Sequence, residues 1–296
     1  MKFIYLGLIL ASNACLAMSA SNKPGKFETI NIYYEEKGKI HDESIKIQDL
    51  NLSDNVSAIT PHPSKNPNKS RNFWEGIFLN HLTKKAQITI SDYKNLTVIA
   101  ADDFTVQLGV NLISKAEVLI ALKKDKKRLT WYDGGPQLIF PLDDKNIDPS
   151  FAIDSWWCWY VSAIILDELP PLIKFQSSNL EKIIDLRDLH GELNSGLVSL
   201  PSGTRLITAP KTPIKISQIK LLDLLRNTGT ESKGKSIEIS TYNGRHQTIS
   251  DLSKYTVNFK WDNKFIDPAF GGPVQVCKSD TSNDSIFGVK RISIKE

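Results

Sequence analysis

Cysteine is scarce in this chain, with three in 296 residues, and methionine scarcer still, with two. Thiols at positions 15, 158 and 277 exclude a disulfide-stapled scaffold and the Cys-x-x-Cys spacing of a zinc or redox site. The five histidines (His41, His62, His81, His190 and His246) are scattered, with no His-x-x-x-His pair, so surface or capping roles fit them better than metal ligation. No Gly-x-Ser-x-Gly elbow, phosphate-binding loop or Gly-x-Gly-x-x-Gly fingerprint is present, and Ser202 lies in a Pro201-Ser202-Gly203 turn. The apolar stretches at residues 3–11 and 156–166 are both too short to cross a bilayer as a helix. Charge of one sign is also modest: the formal excess is +4. Its densest expression is Lys123, Lys124, Lys126, Lys127 and Arg128 around Asp125, which reads as a solvated turn between two strands rather than a nucleic-acid stripe.

A hydrophobic share of 41% and a charged share of 24% are globular values, and the length suits two domains of ordinary size. Residues 1–19 read as a signal peptide: Lys2 supplies the positive end, residues 3–11 the apolar region, and Ala17-Met18-Ser19 a small-x-small cleavage site. Lipidation at Cys15 is the alternative, but no aliphatic residue stands three places before it. The expected product is periplasmic or secreted, with no membrane span. Loss of the leader leaves Cys158 and Cys277, which are either a candidate disulfide in an oxidising compartment or two buried thiols.

What the chain does have is a repeat of itself. Residues 96–100 alternate into Asp102-Asp103 and residues 104–108 lead out, as in a hairpin. Residues 237–242 lead into Asn243-Gly244, a type I′ turn signal, and residues 245–249 lead out. After each hairpin comes a strand, a polar turn, an aromatic followed by Gly-Gly-Pro (Gly134-Gly135-Pro136 and Gly271-Gly272-Pro273), and a further strand. Before each hairpin, residues 73–82 and 216–225 read as a turn entering a short helix. In the second of these, Ser217 is the expected N-cap, with Ile219, Leu222 and Leu225 on one face. Leu169-Pro170-Pro171 breaks the chain between the copies, which sets the expected boundary at 27–170 and 171–296.

This order of elements resembles the oxidoreductase molybdopterin-binding domain of the sulfite oxidase family. The resemblance rests on residues 73–82, on Asp102-Asp103-Phe104, and on Gly134-Gly135-Pro136 with the strand after it; it covers about residues 40–165, with the second half a degenerate copy. It implies an α+β, β-dominated, sulfite-oxidase-like fold in two tandem related domains. Enzymes of that family hold molybdenum through a cysteine thiolate upstream of the hairpin, where the mature chain has none. Phe104 stands where the family has tyrosine, and Leu138 where it often has arginine.

The expectation is therefore an exported, non-catalytic ligand-binding, sensory or partner protein with no cofactor. The alternative is a molybdopterin-dependent oxidoreductase, with a pterin pocket that works without the usual thiolate or with Cys158 as an unexpected ligand. An envelope assembly subunit is a third reading. Candidate ligand contacts are Asp102, Asp103 and Phe104 on the hairpin, Gly134 and Gly135 on the turn, and Trp156 and Trp157 in the aromatic cluster that continues to Trp159 and Tyr160. Asp143-Asp144 reads as loop chemistry. Expected partners are a small molecule or an envelope protein, not nucleic acid.

Overall fold

The computed structural model describes residues 29–50, 54–59, 71–141, 158–178, 180–189, 192–196, 214–229, 235–261, 264–279 and 285–295. The expected leader, Trp156, Trp157, His62, His190, Ser202 and Asp143-Asp144 lie outside them.

The first half runs β1 (Thr29–Glu36), β2 (Lys39–Lys46), β3 (Asp54–Ile59), β4 (Arg71–Phe78), α1 (Leu79–Lys85), β5 (Asn95–Ala100), β6 (Thr105–Gly109), α2 (Val110–Lys115), β7 (Leu119–Lys124), β8 (Lys127–Arg128), β9 (Gln137–Ile139) and β10 (Val161–Leu166). The second runs β11 (Leu172–Ser177), β12 (Leu180–Asp185), β13 (Glu192–Gly196), β14 (Ile214–Lys220), α3 (Leu221–Asn227), β15 (Ser236–Thr241), β16 (His246–Ile249), β17 (Tyr255–Trp261), β18 (Lys264–Phe265), β19 (Gln275–Lys278) and β20 (Val289–Lys295). The molecule is β-dominated, with short helices between strands.

Each half forms two sheets, and the strand orders match. One sheet is β2-β1-β10-β5-β6 in the first half and β12-β11-β20-β15-β16 in the second. The other is β3-β4-β7-β8 with β9 on β7, against β13-β14-β17-β18 with β19 on β17. The one parallel contact recurs at the same place, β1 with β10 and β11 with β20.

The two-residue period of a strand explains how the first sheet is covered on both faces. Ile30, Ile32, Leu96, Val98, Val161, Ile164 and Leu166 enter the first half's core. The alternate residues Tyr33, Ile99, Ala163 and Ile165 form a second cluster with Leu169 and with Tyr242 from the other half. That is why β10 is apolar almost throughout (Val161-Ser162-Ala163-Ile164-Ile165-Leu166) and buried at every position. Each such large aliphatic side chain contributes roughly 1.5–3 kcal/mol on burial. The second half has its own core around Phe175, Leu221, Leu224, Phe259 and Ile292.

Residues 73–82 and 216–225 differ from the expected turn and helix. Residues 73–78 belong to β4, and the helix begins at Leu79. Gly76 sits at a register shift against β7, where a Cβ would lie 1.9 Å from the Ile120 carbonyl oxygen. Only glycine permits that approach. Ser217 is likewise inside β14, paired with Lys260, and caps nothing. The N-cap of α3 is Lys220 without a side-chain bond, and the face it buries is Leu221, Leu224 and Leu225.

Candidate functional site

The two matching hairpins meet. In the first, Asp103 N–H donates to Ala100 O at 3.1 Å and Ala100 N–H to Phe104 O at 2.8 Å; in the second, Gly244 N–H donates to Thr241 O at 3.1 Å and Thr241 N–H to Arg245 O at 3.1 Å. The turns are thus the same, with Asp103 and Gly244 equivalent and both left-handed, at φ 72° and 81°. Asn243 does not have positive φ, so its turn is a bulged three-residue loop rather than the expected type I′, which requires two left-handed residues. Left-handed backbone favours glycine but tolerates aspartate, whose short side chain bonds locally.

Asp103 is 8% exposed, and its carboxylate is committed across the junction. It accepts a hydrogen bond from Asn243 Nδ2 at 2.7 Å and forms an ion pair with the Arg245 guanidinium. Asn243 Nδ2 also donates to Ala100 O at 3.1 Å. Burial pulls the Arg245 pKa below its ordinary value, and the nearby Asp102 partly offsets that. Beside this link, Thr105 Oγ1 donates to Ala269 O at 3.0 Å and Gln107 Nε2 donates to Asp267 Oδ1 at 3.2 Å. Burial pushes the Asp267 carboxyl above the usual range, against the lowering effect of the bonds from Ala269 N–H and Gln107. A third contact stacks Tyr33 edge-on to Tyr242 at 4.8 Å, with Lys290 Nζ donating to Tyr33 Oη at 3.0 Å. Burial lowers the Lys290 pKa and raises those of both tyrosines.

These elements enclose a crevice at the junction, lined in part by Asp103, Thr105, Tyr242, Asn243 and Gly272, with a volume of about 10 Å³. A space of that size holds one water at most.

The Gly-Gly-Pro turns have a structural duty in both halves. Gly134 O accepts from Tyr160 N–H at 2.7 Å while Tyr160 O accepts from Ala101 N–H at 3.0 Å; Gly271 O accepts from Gly288 N–H at 2.8 Å while Gly288 O accepts from Tyr242 N–H at 2.9 Å. Tyr160 and Gly288 share φ 58°. A Cβ on Gly134 would lie 2.7 Å from Gln137 Nε2 and 3.2 Å from the Trp159 ring. On Gly272 it would lie 1.8 Å from Ile266 O.

Of the residues expected to contact a ligand, Asp102 is exposed at the turn, its Oδ1 accepting from Phe104 N–H at 3.3 Å. Phe104 packs half-buried on the first core. Gly134 and Gly135 hold the turn, at φ 94° and 56°, and Gly134 is joined to the hairpin through Tyr160. The sequence pattern marked Asn243 only as a turn residue, and gave no site role to Arg245, Gln107, Asp267 or the Tyr33–Tyr242–Lys290 group. The matching hairpins were the available hint, because the alignment sets Asn243 opposite Asp102.

The candidate disulfide is not formed: Cys158 and Cys277 are free thiols. Cys158 is fully buried in the first core, with its Sγ directed at Trp159 O at 3.8 Å. Cys277 is on β19 of the other half, where Asn258 Nδ2 lies 3.3 Å from its Sγ. Burial, with a smaller effect from Asp102, drives the Cys158 pKa well up. Cys158 is wholly enclosed by core side chains, which leaves a metal-bound cofactor no open approach to its Sγ, so the residues present do not fit a molybdenum centre at Cys158. Among the described residues, no group of three or more His, Cys, Asp or Glu is arranged to hold a metal ion. His81 Nδ1 is 2.7 Å from Asp54 Oδ2, His246 Nδ1 is 3.1 Å from Ser240 Oγ, and His41 stacks on Tyr34. No helix among the described residues is long and apolar enough to cross a membrane. No family model matches the chain, and no curated protein matches it.

Proposed function

We propose that this chain is an exported, non-catalytic binding protein, serving a small ligand or an envelope partner. Its two tandem related domains, 27–170 and 171–296, stand on a scaffold resembling the molybdopterin-binding module of the sulfite oxidase family. The observation that carries the reading is the fate of the acidic hairpin. Asp103, the buried polar group best placed for ligand contact, has its carboxylate filled by Asn243 and Arg245 of the same chain. A carboxylate used as a strut is not available as a general acid or base, since that role needs a proton path to a substrate. The matching strand orders support descent of the two domains from one unit. The enclosure of Cys158 in the first core counts against the form of the molybdopterin-dependent alternative in which it is the metal ligand.

The test is the molybdenum content per chain, by elemental mass spectrometry, after export in a host that makes the cofactor. A sulfite oxidase family enzyme purified alongside serves as the loading control. No molybdenum beside a loaded control is the expected result. Near-stoichiometric molybdenum would overturn the proposal.

A further inference from the structure

The repeated strand order supplies an internal control, because positions on the paired strands and their turns have equivalents in the other half. Register makes the β7–β8 hairpin and the β17–β18 hairpin equivalent: Lys123 pairs with Arg128 and Lys124 with Lys127, as Lys260 pairs with Phe265 and Trp261 with Lys264. Residues 123–128 therefore hold five cations and one carboxylate where residues 260–265 hold two and one. The 3-10 turns that follow, Trp131–Asp133 and Pro268–Phe270, are equivalent as well. Tyr132 is 95% exposed where its counterpart Ala269 is fully buried against the other half. The second half forms the same hairpin and turn with two cations in place of five and with no tyrosine, so neither the extra cations nor the tyrosine is required for that fold.

The end of the β7–β8 hairpin is exposed. Asp125 and Lys126 are both left-handed, at φ 48° and 67°, which makes a two-residue turn there. Its nearby acids are committed. Asp125 Oδ1 accepts from Phe73 N–H at 2.9 Å, Asp133 Oδ2 from Thr130 Oγ1 at 2.6 Å, and Glu75 is 3.5 Å from Lys123 Nζ. Lys124 Nζ lies over the Trp74 ring at 5.2 Å. Lys126, Lys127 and Arg128 are exposed, and none forms an ion pair among the described residues. Phe73, bonded to the tip through Asp125, and Trp159, against Gly134, are 39% and 37% exposed.

We propose that this end of the first half, Lys126, Lys127, Arg128 and Tyr132, docks on an anionic phospholipid membrane surface. Exposed cations at a hairpin end meet a negative surface without needing a groove. A tyrosine standing clear of the protein fits the headgroup layer, where an aromatic ring buries its body and keeps its hydroxyl wet. Single-stranded nucleic acid also takes cations and aromatics, but in a channel that follows its backbone, and a hairpin tip offers none. This inference goes beyond the binding-protein reading and holds whether or not that reading survives.

The test is co-sedimentation of the purified chain with vesicles of phosphatidylglycerol and phosphatidylcholine, and with phosphatidylcholine alone, at low and high salt. Binding is expected to the anionic vesicles only and to fall with salt. The combined Lys126→Gln, Lys127→Gln, Arg128→Gln variant should lose about fivefold per cation, ~100-fold in all. Tyr132→Ala should weaken the binding that survives at high salt. Lys260→Gln and Lys264→Gln, the two cations of the matching hairpin, should leave binding unchanged. Equal binding by the triple variant, equal binding to neutral vesicles, or retention on heparin without vesicle binding would each overturn the proposal.

Discussion

Replacing Asp103 with asparagine isolates the charge that joins the two hairpins. Asparagine tolerates the left-handed backbone at φ 72° and can still accept from Asn243 Nδ2, so the main loss is the ion pair with Arg245. Hydrogen bonds to charged groups contribute roughly 1.5–3 kcal/mol. The Arg245 side chain is 42% exposed and can turn to water, while that of Asp103 is only 11% exposed, so solvent screening lowers the expected loss to about 1–2 kcal/mol. At ~2–4 °C per kcal/mol for a chain of comparable size, Tm should fall by roughly 2–8 °C. The assay is urea unfolding followed by tryptophan fluorescence, since Trp74 and Trp261 are buried in different halves. Arg245→Met should show a coupling of about 1 kcal/mol with Asp103→Asn in a double-mutant cycle. An unchanged Asp103→Asn, or two changes that simply add, would refute the strut.

Three further perturbations probe other parts of the molecule. Asp267→Asn tests burial at the junction: the carboxyl is raised above its unfolded value, so its contribution is full below the ordinary carboxylate range and declines as pH rises through the raised value. The stability difference should therefore move in favour of the variant with rising pH, and a pH-independent difference in urea midpoints would contradict the assignment. Gly272→Ala forces a Cβ onto the Ile266 carbonyl and should cost about 3 kcal/mol in thermal melts, whereas Gly244→Ala, with open space but φ 81°, should cost about 1 kcal/mol. Cys158 should resist an aromatic disulfide reagent in the native state and react after unfolding; prompt native labelling would show that the first core is open.

The hairpins were legible because alternation and turn residues agree over β5–β6 and β15–β16. The Gly-Gly-Pro strands and the charged turn at Asp125 were legible for the same reason. The strand-to-helix joints were not. The apolar spacing of Trp74, Ile77 and Leu82 suits a helix, yet Trp74 and Ile77 belong to a strand whose pairing partners, Lys124 and Ile120, are remote in sequence. Ser217 resembled a cap because the sheet that claims it forms with β13 and β17, both remote in sequence. The family resemblance made Asp103 a candidate ligand contact, and nothing in residues 100–104 announces Arg245 as its neighbour. Only the docking of the two halves supplies that contact.

The position of β10 and β20 has a consequence for how the chain is made. Each half begins with a hairpin, β1–β2 or β11–β12, and pairs its first strand with its last. Until residue 166 leaves the ribosome, β1 and β5 both lack β10, the strand that pairs with each of them in the finished sheet. The second half is in the same position until β20 is synthesised. Late insertion of a central strand makes for slow, non-local folding and leaves an aggregation-prone interval during every round of synthesis. A holdase that binds extended apolar segments would find its targets at β1 and β5 first, then at β11 and β15.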